Sequence, residues 1–336
     1  MATPEAIAAA ARLLEAGALV AFPTETVYGL GADAENPQAV AAIYAAKGRP
    51  ANHPVIVHLA PEADLAYWAK EVPPHARQLI AAFWPGPLTI ILKRAEHIPD
   101  AVSGGQDSIG LRCPSHPVAQ ALLRAFKGGR GGVAAPSANK FGHVSPTTAQ
   151  HVRDEFSDEL ACILDGGQSE VGIESTIVDL SRGGVVLLRP GRISAEAIAR
   201  ELGVPPQAAD AAAPRVSGAL DSHYAPATPV ILVDVAHVTA ALQKIAAAGR
   251  RVVLIQRASQ RFASTIETRM MPADPLGYAH DLYAALREMD LTGNDIILVE
   301  MPPQTVEWSG VNDRLRRASY NAKNVVKELN LPQLEA

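Results

Sequence analysis

The chain has 336 residues, of which 48% are hydrophobic and 19% are charged, and its formal net charge is −5. This length exceeds the usual size of one domain, so two domains are expected. The composition excludes a disordered or fibrous protein, and the lack of a broad basic field argues against a non-specific nucleic-acid binder. Cys113 and Cys162 are too few and too far apart to indicate a disulfide framework or a cysteine-based metal site.

The N-terminal stretch predicts scaffold rather than a targeting segment. Residues 4–15 place alanine and leucine side chains on one face of a helix, and Gly17 ends it before a strand over 18–22. No cationic segment followed by an apolar core opens the chain, and no apolar run reaches the ~18 residues of a membrane span. We therefore expect a cytoplasmic protein without membrane contact.

A helix that ends in two cations follows the first glycine turn. Asn36 is a suitable N-cap with Pro37 at the first helical position, and Lys47 falls in the last turn. In Lys47-Gly48-Arg49-Pro50, the glycine allows a turn and the proline stops the helix. Two cations this close could clamp a polyphosphate. They could equally be a solvated helix end, where cations are expected in any case.

Two strands carry polar side chains on one face. Alternation over 55–59 puts His58 opposite the apolar residues, and alternation over 108–112 puts Ser108, Gly110 and Arg112 on one side. A hydroxyl, a bare backbone and a guanidinium suit an anionic ligand. An exposed polar face of an edge strand would give the same pattern.

The middle of the chain offers a turn and a predicted helix start. The strand over 133–135 ends in Pro136-Ser137-Ala138-Asn139, which presents a hydroxyl and an amide where α/β proteins commonly bind ligands. Ser145 and Pro146 predict a helix start whose free amides could hold an anion. The glycine-rich run 127–132 lacks the ending of a phosphate loop and predicts a flexible connector.

Short apolar strands with few helices predict an N-terminal twisted mixed sheet with packed helices. We expect this domain over 1–202 and a proline- and alanine-rich linker over 203–229. Over 230–336, strands at 230–233, 251–255 and 296–299 alternate with helical stretches. This alternation predicts a small parallel Rossmann-like or flavodoxin-like sheet, and the missing glycine fingerprint gives no indication of a dinucleotide.

Six motifs lie along the first two thirds of the chain. They are Pro-Thr-Glu-Thr-Val-Tyr-Gly-Leu-Gly at 23–31, Lys-Gly-Arg-Pro at 47–50, Pro-Val-Ile-Val-His at 54–58, Phe-Trp-Pro-Gly-Pro-Leu-Thr at 83–89, Ala-Pro-Ser-Ala-Asn at 135–139 and Glu-Ser-Thr at 174–176. In order and spacing, they resemble the threonylcarbamoyl-AMP synthases of the YrdC type. His-Tyr-Ala-Pro at 223–226 resembles the linker of the longer, two-domain members.

The resemblance implies an enzyme, a nucleotidyltransferase that uses ATP with Mg²⁺, L-threonine and bicarbonate or carbon dioxide. It would form L-threonylcarbamoyladenylate and release pyrophosphate. A downstream transferase would then modify an adenosine of tRNA, with at most transient tRNA contact by this chain. The sequence does not identify Glu25 or Asp33 as a magnesium ligand.

The resemblance also assigns site residues. Lys47 and Arg49 would bind the triphosphate and act in catalysis, and His223 with Tyr224 would make the linker a lid over the nucleotide. The other nucleotide residues would be His53, Ser108, Ser137, Asn139, Ser145 and Arg189. The residues that hold threonine would be Thr26, His58, Arg112, the backbone at Ala135, and Ser175.

Two departures from the family pattern concern the nucleotide. The family more often has asparagine at the position of His53, and the linker stretch 217–222 differs from that of many two-domain members. Two other functions remain open: an RNA-binding module that grips phosphates without chemistry, and carbamoyl transfer to another acceptor. No aromatic platform stands beside the cations, which disfavours RNA binding. Acylphosphatase and zinc-finger segments, expected of the carbamoyl-transfer systems, are absent from the sequence.

Overall fold

A computed structural model of the protein describes residues 2–218, 220–257 and 266–331. The chain forms two compact units. Unit 1 comprises Met1–Phe141 and Ser145–Ala219, and unit 2 comprises Gly142–Val144 and Leu220–Ala336. Of the stretch predicted as a linker, residues 203–218 thus pack with unit 1 and residues 220–229 with unit 2.

Unit 1 contains a ten-stranded mixed sheet, as the sequence predicted, in the order β10-β9-β8-β4-β5-β3-β6-β2-β1-β7. Its strands are β1 (Val20–Phe22), β2 (Gly29–Asp33), β3 (Ile56–Leu59), β4 (Leu88–Lys93), β5 (Ser108–Arg112), β6 (Gly132–Ala134), β7 (Cys162–Ile163), β8 (Thr176–Asp179), β9 (Val186–Arg189) and β10 (Gln207–Ala208). β3 runs parallel to β5 and β4 runs parallel to β8, whereas β4 and β5 are antiparallel.

The helices of unit 1 begin and end largely where local signals place them. They are α1 (Pro4–Glu15), α2 (Pro37–Lys47), α3 (Leu65–Trp68), α4 (Pro74–Phe83), α5 (Asp100–Ser103), α6 (Pro117–Ala125), α7 (Ala149–Phe156) and α8 (Ala195–Leu202), with a 3₁₀ turn at Phe126–Gly129. Asn36 caps α2 by accepting from two backbone amides, and Gly48 ends the helix in the left-handed region with φ 64°.

The predicted helix start at Ser145 is wrong. α7 begins at Ala149, because the Thr148 hydroxyl accepts from the His151 amide and provides the cap. The Ser145 hydroxyl instead donates to the Glu174 carboxylate at 2.6 Å, so long-range pairing takes this side chain away from the helix end.

The two faces of the unit 1 sheet are covered differently. One face buries Leu30, Val57 and Leu111 in a continuous core with side chains from α2, α4, α7 and α8. On the opposite face, α1 and α6 pack over β1, β2 and β6 through residues such as Leu14 and Leu122. On this face, β3 carries His58 and β5 carries Ser108 and Arg112, and all three side chains are buried. These polar side chains mark the candidate site.

Unit 2 contains a four-stranded, all-parallel sheet in the order β11-β14-β12-β13, which confirms the predicted parallel α/β fold. Its elements are β11 (Val230–Val233), α9 (Val238–Ala247), β12 (Val252–Arg257), β13 (Thr268–Met271), α10 (Pro275–Asp290), β14 (Ile296–Glu300), α11 (Ser309–Ala318) and α12 (Lys323–Glu328), with 3₁₀ turns at Val235–His237, Val306–Trp308 and Tyr320–Ala322. The sequence did not predict β13, whose residues lack an apolar run. Among the described residues, no helix is both long and apolar enough to span a membrane.

Candidate active site

The candidate site lies on the polar face of β3 and β5. In the parallel register, His58 is paired with Arg112 and Ile56 with Gly110. Because side chains alternate along β5, Ser108 and Arg112 point to the same face with Gly110 between them. A Cβ atom at position 110 would lie 3.1 Å from the Ile91 side chain, so glycine leaves bare backbone between the Ser108 and Arg112 side chains. We call this surface the β5 strip, with a Ser108 end and an Arg112 end about 13 Å apart.

The Arg112 end holds a buried ion pair. Arg112 Nη2 donates to Glu25 Oε1 at 2.7 Å, and the two side chains are only 5% and 4% exposed. The second carboxylate oxygen of Glu25 accepts from the Ser115 amide at 3.1 Å. Arg112 Nε is buried and has no hydrogen-bond partner within the described residues. Glu25 and the Ser115 amide therefore hold the ion pair in place, and Arg112 Nε remains as a buried donor for a further partner.

His58 adds a neutral ring beside this guanidinium. Burial and the nearby Arg112 cation lower the pKa of His58 to about 3, so the ring is uncharged near pH 7. Its Nδ1 is buried and, within the described part of the chain, makes no hydrogen bond. Because buried polar atoms are usually paired, two such atoms near one another indicate a place for a polar ligand.

Hydroxyl groups surround the same region. The Thr26 hydroxyl lies 2.8 Å from that of Thr24 in the loop that carries Glu25, and both side chains are buried. The Ala135 amide donates to the Ile56 carbonyl at 2.9 Å, which fixes the backbone next to β3. Thr26 and Ala135, both expected to hold threonine, are thus rigidly placed.

Arg189 and Ser175 lie together between β8 and β9. Arg189 donates from Nε to the Ser175 carbonyl and from Nη2 to its hydroxyl, both at 3.1 Å. The Thr89 hydroxyl lies 2.8 Å from the Ser175 hydroxyl. The resemblance assigns no role to Thr89, although this residue lies in one of the six motifs, because sequence alone does not show that its side chain faces Ser175.

Lys47 does not have the solvated position that one interpretation of the sequence gave it. Its side chain is only 3% exposed. The ammonium donates to the Ser137 carbonyl at 2.6 Å and also to the Asn139 carbonyl. Burial lowers the pKa of Lys47 well below its ordinary value. Lys47, Ser137 and Asn139 were all predicted for the nucleotide site, and the structure brings them together through this link.

Arg49 points in a different direction from Lys47. Its Nη2 donates to the Pro54 carbonyl at 2.8 Å and to the Ser217 hydroxyl at 3.0 Å. The carbonyl of Ser217 accepts from Arg189 Nη1 at 2.8 Å. A single residue of the 203–218 stretch therefore connects two of the cations predicted to bind the nucleotide. Ser217 carried no signal for this role, since its stretch departs from the family pattern.

The remaining nucleotide candidates lie around the same strands. The His53 ring packs edge to face on Phe141 with centroids 5.5 Å apart, and burial, with Arg49 nearby, lowers the pKa of His53. Ser108 lines a cavity of about 890 Å³ together with Lys93 and Arg182. Of its lining side chains none is aromatic, so the cavity offers charge and hydroxyl groups rather than a stacking surface.

Tyr224 belongs to unit 2. It is buried, with its ring centroid 5.7 Å from that of Tyr283 and 5.5 Å from the Arg314 guanidinium carbon. Its neighbour His223 packs on it at 4.2 Å. The proposed contact of Tyr224 with a nucleotide stays a prediction.

The described residues contain no group of three or more His, Cys, Asp and Glu side chains that could hold a metal ion. Glu25 is paired with Arg112, and Asp33 is paired with Lys127 at 2.7 Å, so each carboxylate already neutralises a cation.

Two family descriptions match consecutive parts of the chain. Residues 12–191 match the family described as Telomere recombination, and residues 193–319 match the Threonylcarbamoyl-AMP synthase, C-terminal domain. Together they extend over both units.

Relatives match over nearly the full length. The chain is 39% identical to the threonylcarbamoyl-AMP synthase of Pyrococcus abyssi, covering 92% of this chain and 93% of that protein. It is 38% identical to the threonylcarbamoyl-AMP synthase of Bacillus subtilis, covering 93% and 92%. The crystal structure of P. abyssi Sua5 complexed with L-threonine has a TM-score of 0.87 at 37% identity and covers 94% of this chain and 95% of that one.

Proposed function

Because the chain belongs to the threonylcarbamoyl-AMP synthase family in its two-domain form, we propose that it makes L-threonylcarbamoyladenylate. The substrates would be L-threonine, bicarbonate or dissolved carbon dioxide, and ATP, and the second product would be pyrophosphate. The observation that carries the proposal is the Arg112 end of the β5 strip, where a guanidinium with an unused buried donor stands beside a neutral histidine.

The chemistry consists of two bond-forming steps. The threonine amine attacks the carbon of carbon dioxide and loses a proton, which gives a carbamate; bicarbonate would supply the same carbon and release water or hydroxide. A carbamate oxygen then attacks the α-phosphorus of ATP, and the bond to pyrophosphate breaks. Both partners of the second step are anions, so the protein mainly has to align them and offset charge that moves onto the leaving group.

Arg112 is suited to the threonine carboxylate, because a guanidinium offers several donors in one plane. The neutral His58 ring has an acceptor for a donor of the amino acid and brings no second positive charge. Thr26, Ser175 and the backbone at Ala135 would complete this end of the site.

The nucleotide would lie toward the Ser108 end. Arg49 and Arg189 already converge on Ser217, so a phosphate that replaced this serine would meet two guanidinium groups. Ser137, Asn139, Ser145 and His53 would line the same substrate, and Lys47 would act by fixing the 137–139 turn. Mg²⁺ would enter with ATP, since phosphate oxygens and water commonly supply most of its ligands.

The product is a mixed anhydride, which water hydrolyses readily. We propose that a downstream transferase takes it up for the modification of an adenosine in tRNA. The same chemistry requires the site to exclude water, and the contacts of Ser217 with Arg49 and Arg189 support an ordering role for residues 203–218.

The test is pyrophosphate release from ATP and Mg²⁺ with bicarbonate, with L-threonine, L-serine or no amino acid. We expect release that depends on threonine in the wild type and falls about 30-fold or more in Arg112→Met. The matched control is Arg124→Met, which removes the guanidinium of an exposed pair with Glu62 at 2.9 Å and should behave as the wild type. Release without any dependence on an amino acid would contradict the proposal. RNA binding with a steep salt dependence and no ATP turnover would favour the RNA-binding module instead.

A further inference from the structure

Glu25 has a position that no substrate assignment explains. It lies between two threonines of the loop before β2, and its carboxylate is buried against Arg112. An isolated buried charge is costly, so the Glu25 carboxylate and the Arg112 guanidinium each need the other as a partner. Its two oxygens are both engaged, one with Arg112 Nη2 and the other with the Ser115 amide.

This double engagement fixes the orientation of the guanidinium. The Ser115 amide prevents the carboxylate from rotating, and the 2.7 Å contact at Nη2 holds one corner of the guanidinium plane. The Nε atom at another corner has no hydrogen-bond partner among the described residues. A planar group held at one corner directs its remaining donors in one direction.

We infer that Glu25 is the positioning residue of the amino-acid site: it orients Arg112 so that the unpaired Nε–H of the guanidinium is directed at the substrate carboxylate. This inference rests on the proposed function. It also implies that Glu25 is neither a magnesium ligand nor a general base, because one of its oxygens accepts from Arg112 and the other from the Ser115 amide.

The pair has a second consequence for selectivity. The negative charge of Glu25 neutralises the positive charge of Arg112, so the pair contributes no net charge to the site. A bound anion is therefore stabilised more by directed hydrogen bonds than by a strong electrostatic field. A ligand without a carboxylate leaves a buried guanidinium edge unpaired, which is a large penalty. The site should therefore discriminate strongly between L-threonine and its methyl ester.

The experiment compares the wild type with Glu25→Gln and Glu25→Asp. Glutamine keeps the size and an acceptor but loses the charge, and aspartate keeps the charge but shortens the reach. The matched control is Glu62→Gln, which neutralises the exposed partner of Arg124. Threonine affinity is measured calorimetrically and by the KM of pyrophosphate release, alongside the KM for ATP and the thermal midpoint.

We expect Glu25→Gln to raise the threonine KM 30-fold or more with the ATP KM within twofold. We also expect the preference for L-threonine over its methyl ester, measured by competition, to fall at least tenfold. Glu25→Asp should have a threonine KM and an ester preference between those of the wild type and of Glu25→Gln. Glu62→Gln should match the wild type in both. An unchanged threonine KM and ester preference in a folded Glu25→Gln would overturn the inference and leave the synthase proposal standing.

Two other outcomes separate the inference from a structural role and from the proposed function. A parallel rise of both KM values with a lower thermal midpoint, and no change in ester preference, would make Glu25 merely structural and would also overturn the inference. If the wild type released no threonine-dependent pyrophosphate, the proposed function would fail. The calorimetric comparison of threonine with its methyl ester would then still decide whether Glu25 orients Arg112.

Discussion

The two ends of the β5 strip are built in different ways. At the Arg112 end, the guanidinium, His58 and Glu25 are held by strands and by a loop, and the free atoms point to where a ligand would be. Toward the Ser108 end, Arg49 is already engaged with the Ser217 hydroxyl, and the Ser217 carbonyl accepts from Arg189. The comparison indicates a preformed amino-acid site and a nucleotide site whose cations must exchange a protein partner for phosphate.

The largest effect is expected from removing the guanidinium at the preformed end. Arg112→Met should weaken threonine binding by about 2–4 kcal/mol, the range of a desolvated charge pair that loses one member. The variant also leaves Glu25 buried without its cation, which should lower the free energy of unfolding by about 3–5 kcal/mol. The double variant with Glu25→Gln should recover stability but not threonine binding. Calorimetry and urea unfolding measure the two effects separately; recovery of both would contradict a direct role for Arg112.

A pH effect should also arise at the preformed end. The pKa of His58 is near 3 in the folded protein and about 6.5 in an unfolded chain, so the unfolded state alone takes up a proton between these values. Stability from this group is therefore complete above about pH 6.5 and falls as the pH decreases toward 3, by about 3 kcal/mol at pH 4.

The measurement is urea unfolding at pH 7, 5 and 4 for the wild type, His58→Gln and the control His75→Gln. His58→Gln should lose less stability on acidification than the wild type, and His75→Gln should follow the wild type. Parallel pH curves for the wild type and His58→Gln would show that the ring can be protonated where it lies.

The nucleotide end can be tested through Lys47. Lys47→Met keeps an apolar stem but leaves the Ser137 and Asn139 carbonyls without their donor, which should cost about 1–3 kcal/mol of stability. Lys70→Met, which removes an exposed ammonium paired with Glu96 at 3.0 Å, is the control and should change stability by less than about 1 kcal/mol. A stable Lys47→Met with a much higher ATP KM would instead make Lys47 a direct phosphate ligand.

The smallest effect is expected from Ser217→Ala. It removes the hydroxyl that accepts from Arg49 and should change ATP affinity by about 0.5–1 kcal/mol, toward tighter binding if phosphate replaces this serine. Threonine affinity should not change, because alanine keeps the Ser217 carbonyl that accepts from Arg189, the partner of Ser175. Weaker ATP binding in equilibrium titration would mean that Ser217 supports the nucleotide rather than competing with it.

Sequence by itself determined what depends on neighbours a few residues apart. The cap at Asn36, the turn at Gly48 and the shared face of Ser108 and Arg112 follow from local sequence, because caps, glycine turns and strand periods act over a few residues. The motifs also placed the chain in its family, which carried the assignment of most site residues.

Only the tertiary structure decided which of these residues contact one another. Lys47 reaches a carbonyl 92 positions away and Arg49 a hydroxyl 168 positions away, so no local period could predict either partner. The Thr89–Ser175 contact and the bond from Ser145 to Glu174 likewise join residues that are distant in the sequence. Packing brings buried polar groups from distant parts of the chain together, and the requirement that each finds a partner overrides local preference.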